Sequence, residues 1–226
     1  ATIKALKYNG GVSKDDITKE NLDALKSGIS NLERHVENLK KYGVPVVVCL
    51  NKYTTDTDAE VEFVGDYCIK LGAKFSISTA YTDGGNGAID LAEQVIEACS
   101  SKKKFRLLYE DNLSVCEKIE KVCMDIYRAS SVEYSDKAMK KIEEINALGK
   151  SNLPICVAKT QYSFSDDAKK LGAPIDFKVF VRDVCLYNGA EFITVLLGNI
   201  MTMPGLPIVP NYEKIDIVDN KIVGLD

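Results

Sequence analysis

Three short stretches carry residue types that could do chemistry. The first is Asn51-Lys52-Tyr53-Thr54-Thr55-Asp56-Thr57, which follows the apolar run Val46–Leu50. It gathers an amide, an ammonium, a phenol, a carboxylate and hydroxyls, a set suited to gripping a polar ligand rather than to transferring a proton or an acyl group. Asn51-Lys52-x-x-x-Asp56 resembles the base-reading N-K-x-D element of nucleotide hydrolases, but Thr54 stands where the acid belongs. An ordinary polar loop is an equal reading. The second stretch is Tyr81-Thr82-Asp83-Gly84-Gly85-Asn86-Gly87, ahead of a helical pattern. Gly85-x-Gly87 is half of G-x-G-x-x-G, with Asp90 at the third glycine position, so a dinucleotide fingerprint is weak although a helix N-terminus there could hold an anion. The third, Gly149-Lys150-Ser151, has the ending of a phosphate loop but Glu144 where its first glycine should be, and a helix where a strand should precede it. It reads as a helix C-cap.

The elements that must position these residues follow from periodicity. Val46–Leu50 is too short for a helix and shows no polar alternation, which predicts a strand buried on both faces of a parallel sheet. The fold class is therefore α/β, a mostly parallel sheet flanked by helices with a C-terminal α+β unit. Ligands in such sheets sit beyond the carboxyl ends of strands, here at Asn51 to Thr57. Ala1–Lys7 is expected to be a short strand entering the turn Tyr8-Asn9-Gly10-Gly11. Apolar spacing predicts a helix from Thr18, its cap, to Tyr42, stopped at Gly43. A helix over Asp58–Leu71, a strand over Lys74–Ser78 and a helix over Ala88–Cys99 repeat the plan of strand, polar loop and helix. Ser101–Phe105 is the expected boundary between units 1–100 and 101–226. Beyond it come helices at Leu113–Ala129 and Asp136–Leu148, strands at Pro154–Ala158, Phe177–Leu186 and Phe192–Leu197, and a hairpin over Ile215–Val223 turning at Asp219-Asn220. The loop Asn199–Pro210, with three prolines, is expected to be stiff.

Composition removes several function classes. The 226 residues carry a net charge of −4, which argues against nucleic acid or an anionic membrane as partner. Lys102–Lys104 reads as a solvated loop. Seven cysteines without a C-x-x-C pair, most of them inside apolar runs, predict small buried hydrophobes, a reducing cytosol, no disulfide and no structural metal. Cys116 and Cys123 are two helical turns apart and cannot bond. No run approaches the roughly 20 apolar residues of a membrane span. The single histidine, His35, has no ligand-spaced partner and is read as surface or packing. Neither a Ser-His-Asp set nor H-E-x-x-H is present, so the residues alone reach a ligand-binding α/β unit.

Longer motifs add a resemblance. Asn31–Asn38, the strand with Asn51–Thr57, Ala158-Lys159-Thr160-Gln161-Tyr162-Ser163 and Met201–Pro207 together resemble formate tetrahydrofolate ligase, over all 226 residues. The likeness is to the C-terminal part of that enzyme. It implies that residues 1–100 are the remainder of a P-loop-type nucleotide and folate domain whose phosphate-handling lysine lies in an N-terminal part. The family, as the resemblance implies, uses ATP and Mg²⁺ to make formyl phosphate from formate, then transfers the formyl group to tetrahydrofolate in the cytoplasm of the cell. The task of such an enzyme is positioning and charge neutralisation. A homo-oligomer and an N-terminal P-loop partner are also implied, and no catalytic or metal residue falls within this chain.

The family's two pterin-clamping aromatics correspond here to Tyr53 and Tyr81, with Asn51, Asp56, Gly84 and Gly85 as possible cleft-lining residues. Phe and Trp are usual at the two clamp positions; two tyrosines keep the stacking faces but reduce area. Asn199 replaces an expected acid, and Tyr187–Glu191 is less glycine-rich than usual. The expected function is the folate-binding C-terminal part of the ligase, inactive alone; the alternative is a catalytically silent folate-binding or assembly module.

Overall fold

The computed structural model describes residues 1–200, 207–219 and 221–224. It is an α/β chain with parallel-rich sheets flanked by helices, organised around two hydrophobic cores. In the first, α1 (Ile3–Asn9), α2 (Leu22–Lys40) and α3 (Asp58–Lys70) pack on β1 (Val47–Asn51), which pairs in parallel with β2 (Lys74–Ser78). A short α4 (Ala80–Asp83), a 3₁₀ turn (Gly84–Ala88) and α5 (Ile89–Ser100) follow β2.

The second core lies under a four-stranded mixed sheet of order β3-β5-β6-β4, with α6 (Val115–Asp125) and α7 (Asp136–Ala147) against it. Its strands are β3 (Ser131–Tyr134), β4 (Ile155–Ala158), β5 (Lys178–Tyr187) and β6 (Phe192–Leu197). The pairs β3–β5 and β4–β6 are parallel, whereas β5–β6 is antiparallel with a bulge between Val181 and Asp183. A small hairpin, β7 (Asp216–Val218) and β8 (Lys221–Val223), opens its turn at Asp219, whose φ of 52° suits a short polar side chain. Among the described residues no helix is long and apolar enough to cross a membrane.

Several expectations fail locally, each for a physical reason. Ala1–Lys7 is not a strand, because the Thr2 hydroxyl accepts from Ala5 N at 3.1 Å and starts α1 there. Only Ala1 keeps strand character: its N donates to Cys49 O at 2.6 Å and its O accepts from Asn51 N at 2.9 Å. The long helix starts later than Thr18, since Asn21 is the residue whose side chain caps Ala24 N, at 2.9 Å. β1 is not buried on both faces. Val48 and Leu50 are buried, while Val47 and Cys49 are half-buried, because the first sheet has only two strands among the described residues.

α6 ends at Asp125 rather than Ala129, where Arg128 turns to φ 65°, and the strand β3 that follows has no counterpart in the sequence reading. Its four residues are too few to show a period. Only Cys68 and Cys123 of the seven cysteines are fully buried; Cys99 and Cys156 are exposed, and all seven thiols are free. Burial pushes Cys68 up to about 11 and Cys123 up to about 12, which leaves both as inert packing groups. Residues 201–206 of the expected stiff loop, and Asn220 of the expected turn, lie outside the described residues.

Charged side chains do much of the internal fastening. Lys7 and Glu60, 1% and 0% exposed, form an ion pair of 2.9 Å, and the Lys7 ammonium also donates to Lys19 O at 2.8 Å. Burial raises the Glu60 pKa, but donors from Asn21 N, Lys7 and Thr57 N outweigh it and hold the carboxyl below its usual range. Lys118, fully buried, donates to Ser151 O and Leu153 O at 2.8 and 3.1 Å. The two halves meet through Asn38 Nδ2 on Ile126 O (3.0 Å), Arg128 on Glu37 (3.1 Å) and Lys104 N on Gly43 O (3.0 Å). Gly43 is required there, since its φ is 68° and a Cβ would come within 2.0 Å of Lys104 O.

Candidate functional site

The parallel register Asn51↔Ser78 brings the carboxyl ends of β1 and β2 to one edge of the first sheet. A further bond, Lys52 N to Ser78 O at 3.0 Å, fastens the two exits together. Tyr53 and Tyr81 both lie just beyond this edge, 41% and 79% exposed, large areas for aromatic side chains. Tyr53 is held by Asp56: its N–H donates to Asp56 Oδ2 at 2.8 Å, and Asp56 N returns a bond to Tyr53 O at 3.1 Å. Asp56 is itself only 7% exposed, so it shapes the Tyr53 loop rather than offering a free carboxylate to a ligand. Thr57 and Glu60 then cap α3 reciprocally, which fixes where the loop ends. Lys4 of α1 places its ammonium 4.2 Å from the centre of the Tyr53 ring.

Tyr81 rides on the single turn α4. Gly84, at φ 59°, lets the chain reverse there, and neither Gly84 nor Gly85 has an atom near a built Cβ, so this part of the loop is open. Gly87 is the crowded one, since a Cβ would lie 2.5 Å from the Thr79 carbonyl carbon. Asn51 is exposed, its backbone N–H spent on Ala1 O. The N-terminal turn of α5, which the sequence offers as an anion seat, holds the chain's own Asp90, bonded by Ser76 Oγ at 2.5 Å. A second anion there would meet that carboxylate.

Gly149-Lys150-Ser151 is the C-cap expected: Lys150 N reaches Ile145 O at 3.1 Å, Gly149 N reaches Asn146 O at 3.0 Å, and Gly149 has φ 68°. The Gly149 turn therefore spends its N–H groups on carbonyls of α7 and does not form a phosphate cradle.

A second cleft, of about 610 Å³, opens between the two halves at the carboxyl end of β4. From the sequence its residues fall in separate places, Asn9 in a turn, His35 as surface or packing and Ala158–Ser163 in a family motif. Half-buried Lys159 donates to Thr160 O at 3.0 Å and to Ser163 O, and its ammonium lies 4.9 Å from the centre of the Tyr127 ring. Burial pushes its pKa down to about 8, against the opposing pull of Asp166 and Cys123. His35 lies with its ring 4.7 Å from Phe164, and the crowding of the cleft, then the Lys159 charge, lower its pKa. Expected as surface or packing, His35 is exposed and keeps this one ring contact.

The carboxyl edge of the first sheet thus carries two exposed tyrosines, one on a loop tied by Asp56 and one beside an open glycine loop. The model of the formate–tetrahydrofolate ligase family matches residues 1–226, and the chain belongs to that family.

Proposed function

We propose that the chain is the folate-binding C-terminal part of an ATP-dependent ligase that forms 10-formyltetrahydrofolate through formyl phosphate, with Tyr53 and Tyr81 closing on the two faces of the pterin. What supports the reading is the parallel pairing of β1 and β2, which opens both tyrosine loops on the same side of one sheet. Each stacked face would contribute roughly 1 to 3 kcal/mol, as bases do on aromatic side chains. Asn51, Gly84 and Gly85 would line the slot, while Asp56 would hold the Tyr53 loop in register. Residues 1–100 would complete a nucleotide and folate domain with an N-terminal P-loop part, which would bring the lysine and Mg²⁺ that ATP requires. Residues 101–226 would form a separate C-terminal unit.

One observation favours the second reading, a silent binding or assembly module. The Lys4 ammonium covers one face of Tyr53, a contact worth roughly 0.5 to 1 kcal/mol at an exposed site, which a stacking pterin must displace. An assay of ATP-dependent formyl transfer separates the possibilities. The chain alone should be inactive and should gain activity when the N-terminal P-loop part is supplied. Transfer by the chain alone would refute the division of labour, and no transfer by the assembled pair would favour the silent module.

A further inference from the structure

The C-terminal hairpin is not accounted for by its own contacts. β7 and β8 pair with each other, and an isolated two-stranded hairpin is at best marginally stable in water. Ile217 and Val218 are neighbours on β7 and so point to opposite faces, yet they are 68% and 51% exposed. Ile208, Val209 and Tyr212, just before the hairpin, are exposed as well. An arm that is apolar on both faces and left in water on both has the character of a docking element. Pro210, at φ −64° and ψ 142°, holds its root extended.

The four-stranded sheet offers a matching surface. α6 and α7 bury one of its faces, through Val179, Val181, Val184, Ile193 and Val195. Strand alternation sends Phe180, Tyr187, Phe192 and Cys156 to the opposite face. There Phe180 and Tyr187 are exposed, and Tyr187 stacks on Phe192 with ring centres 5.4 Å apart. A hollow of about 580 Å³ on this face is lined by Arg182, Thr194 and Leu196 among others. A sheet face turned to water ordinarily carries polar residues instead. Charge is complementary too: from Pro207 onward the chain has four acidic residues and two lysines, whereas the face presents Lys178 and Arg182 against Glu133.

We propose that the arm docks on this open sheet face in a second copy of the chain, reciprocally, so that two copies exchange arms about a two-fold axis. Each copy then contributes both its arm and its face, which together reach the roughly 20–30 residues a side of a standard interface. Seated on the sheet, the hairpin becomes one layer of a sandwich and gains the packing that a lone pair of strands lacks. An N-terminal part of the ligase is the less apt occupant, because on the reading above it completes the first half, whereas arm and face both belong to the second.

Sedimentation velocity of the full chain over a range of concentrations tests the exchange, and should show a concentration-dependent dimer. Ile217→Asp on the arm and Tyr187→Asp on the face alter exposed side chains, and each should weaken dimerisation at least tenfold with the near-ultraviolet circular dichroism unchanged. Ile208→Asp and Phe180→Asp, a second pair of exposed positions, should repeat the effect. An equimolar mixture of the arm variant and the face variant keeps one intact arm-to-face contact, so it should dimerise more tightly than either variant alone. A chain monomeric at every concentration, or a dimer indifferent to both pairs of variants, would overturn the proposal. So would a mixture no tighter than its parts, since arm would then meet arm or face meet face. Variants that leave self-association unchanged but abolish the activity gained with the N-terminal part would overturn it as well, and would assign the arm to that partner.

Discussion

The two halves of the chain are fastened by different means. The second half buries fourteen apolar residues in one core under a four-stranded sheet, with Val181, Val184, Ile193 and Val195 at 0% exposure. The first half buries thirteen apolar residues, but it has a two-stranded sheet, leaves Ile77, Ile89, Val95 and Ile96 exposed, and sets a buried Lys7–Glu60 pair between α1 and α3. An apolar core tolerates loss of a methyl group by partial collapse, whereas a buried ion pair tolerates loss of neither partner. The half that carries the tyrosine mouth is therefore the one most sensitive to single polar changes.

The largest effect should come from breaking that pair. Glu60→Gln leaves Lys7 buried without its counter-charge and removes part of the Thr57 cap, and should cost about 3–5 kcal/mol. Hydrogen exchange should show protection lost in α1, α2 and α3 and kept in β5 and β6; equal loss in both halves would mean one cooperative unit. Ile193→Ala, at the centre of the second core, should cost about 2–5 kcal/mol with the opposite distribution of lost protection.

A smaller, pH-dependent contrast lies in β5. Burial pushes the Asp183 carboxyl up, but Lys137 and Lys141, each 2.8 Å away, and Val184 N together bring it down to about 2, from an ordinary 3.8. A depressed carboxylate stabilises the fold above its unfolded pKa, and that stability is lost as pH falls through the folded one. Lys137 is largely exposed, so screening leaves at most about 2 kcal/mol, present above pH 4 and gone near pH 2. Urea melts of the chain and of Asp183→Asn should therefore differ at pH 6 and converge near pH 2. A constant difference across that range would contradict the assignment.

Elements of both halves were legible: Asp58–Leu71 and Lys74–Ser78 of the first match as well as those of the second, whereas β3 was missed. Asp136–Leu148, Pro154–Ala158 and Phe192–Leu197 fall within a residue of the observed elements, because each combines a capping or turn signal with an unambiguous apolar period. The first half misled where chemistry is local and short. Ala1-Thr2-Ile3 alternates like a strand, yet one threonine hydroxyl turns the chain into a helix. Lys7–Glu60 and Lys118 escaped notice because pairing across 53 or 33 residues leaves no local pattern. The same holds for the cleft between the halves, whose walls come from α1, α2 and the loop after β4. Tyr53 and Tyr81 could be named only through family motifs; spacing alone offered two exposed phenols after two strands.

The central claim is that the mouth of the first sheet holds folate between its tyrosines. Calorimetric titration of the chain with tetrahydrofolate, before and after Tyr81→Ala, tests it most directly. Loss of one stacked face, roughly 1 to 3 kcal/mol, predicts affinity about 5- to 150-fold weaker, with the fold intact because Tyr81 is 79% exposed. Affinity unchanged by Tyr81→Ala would contradict the clamp.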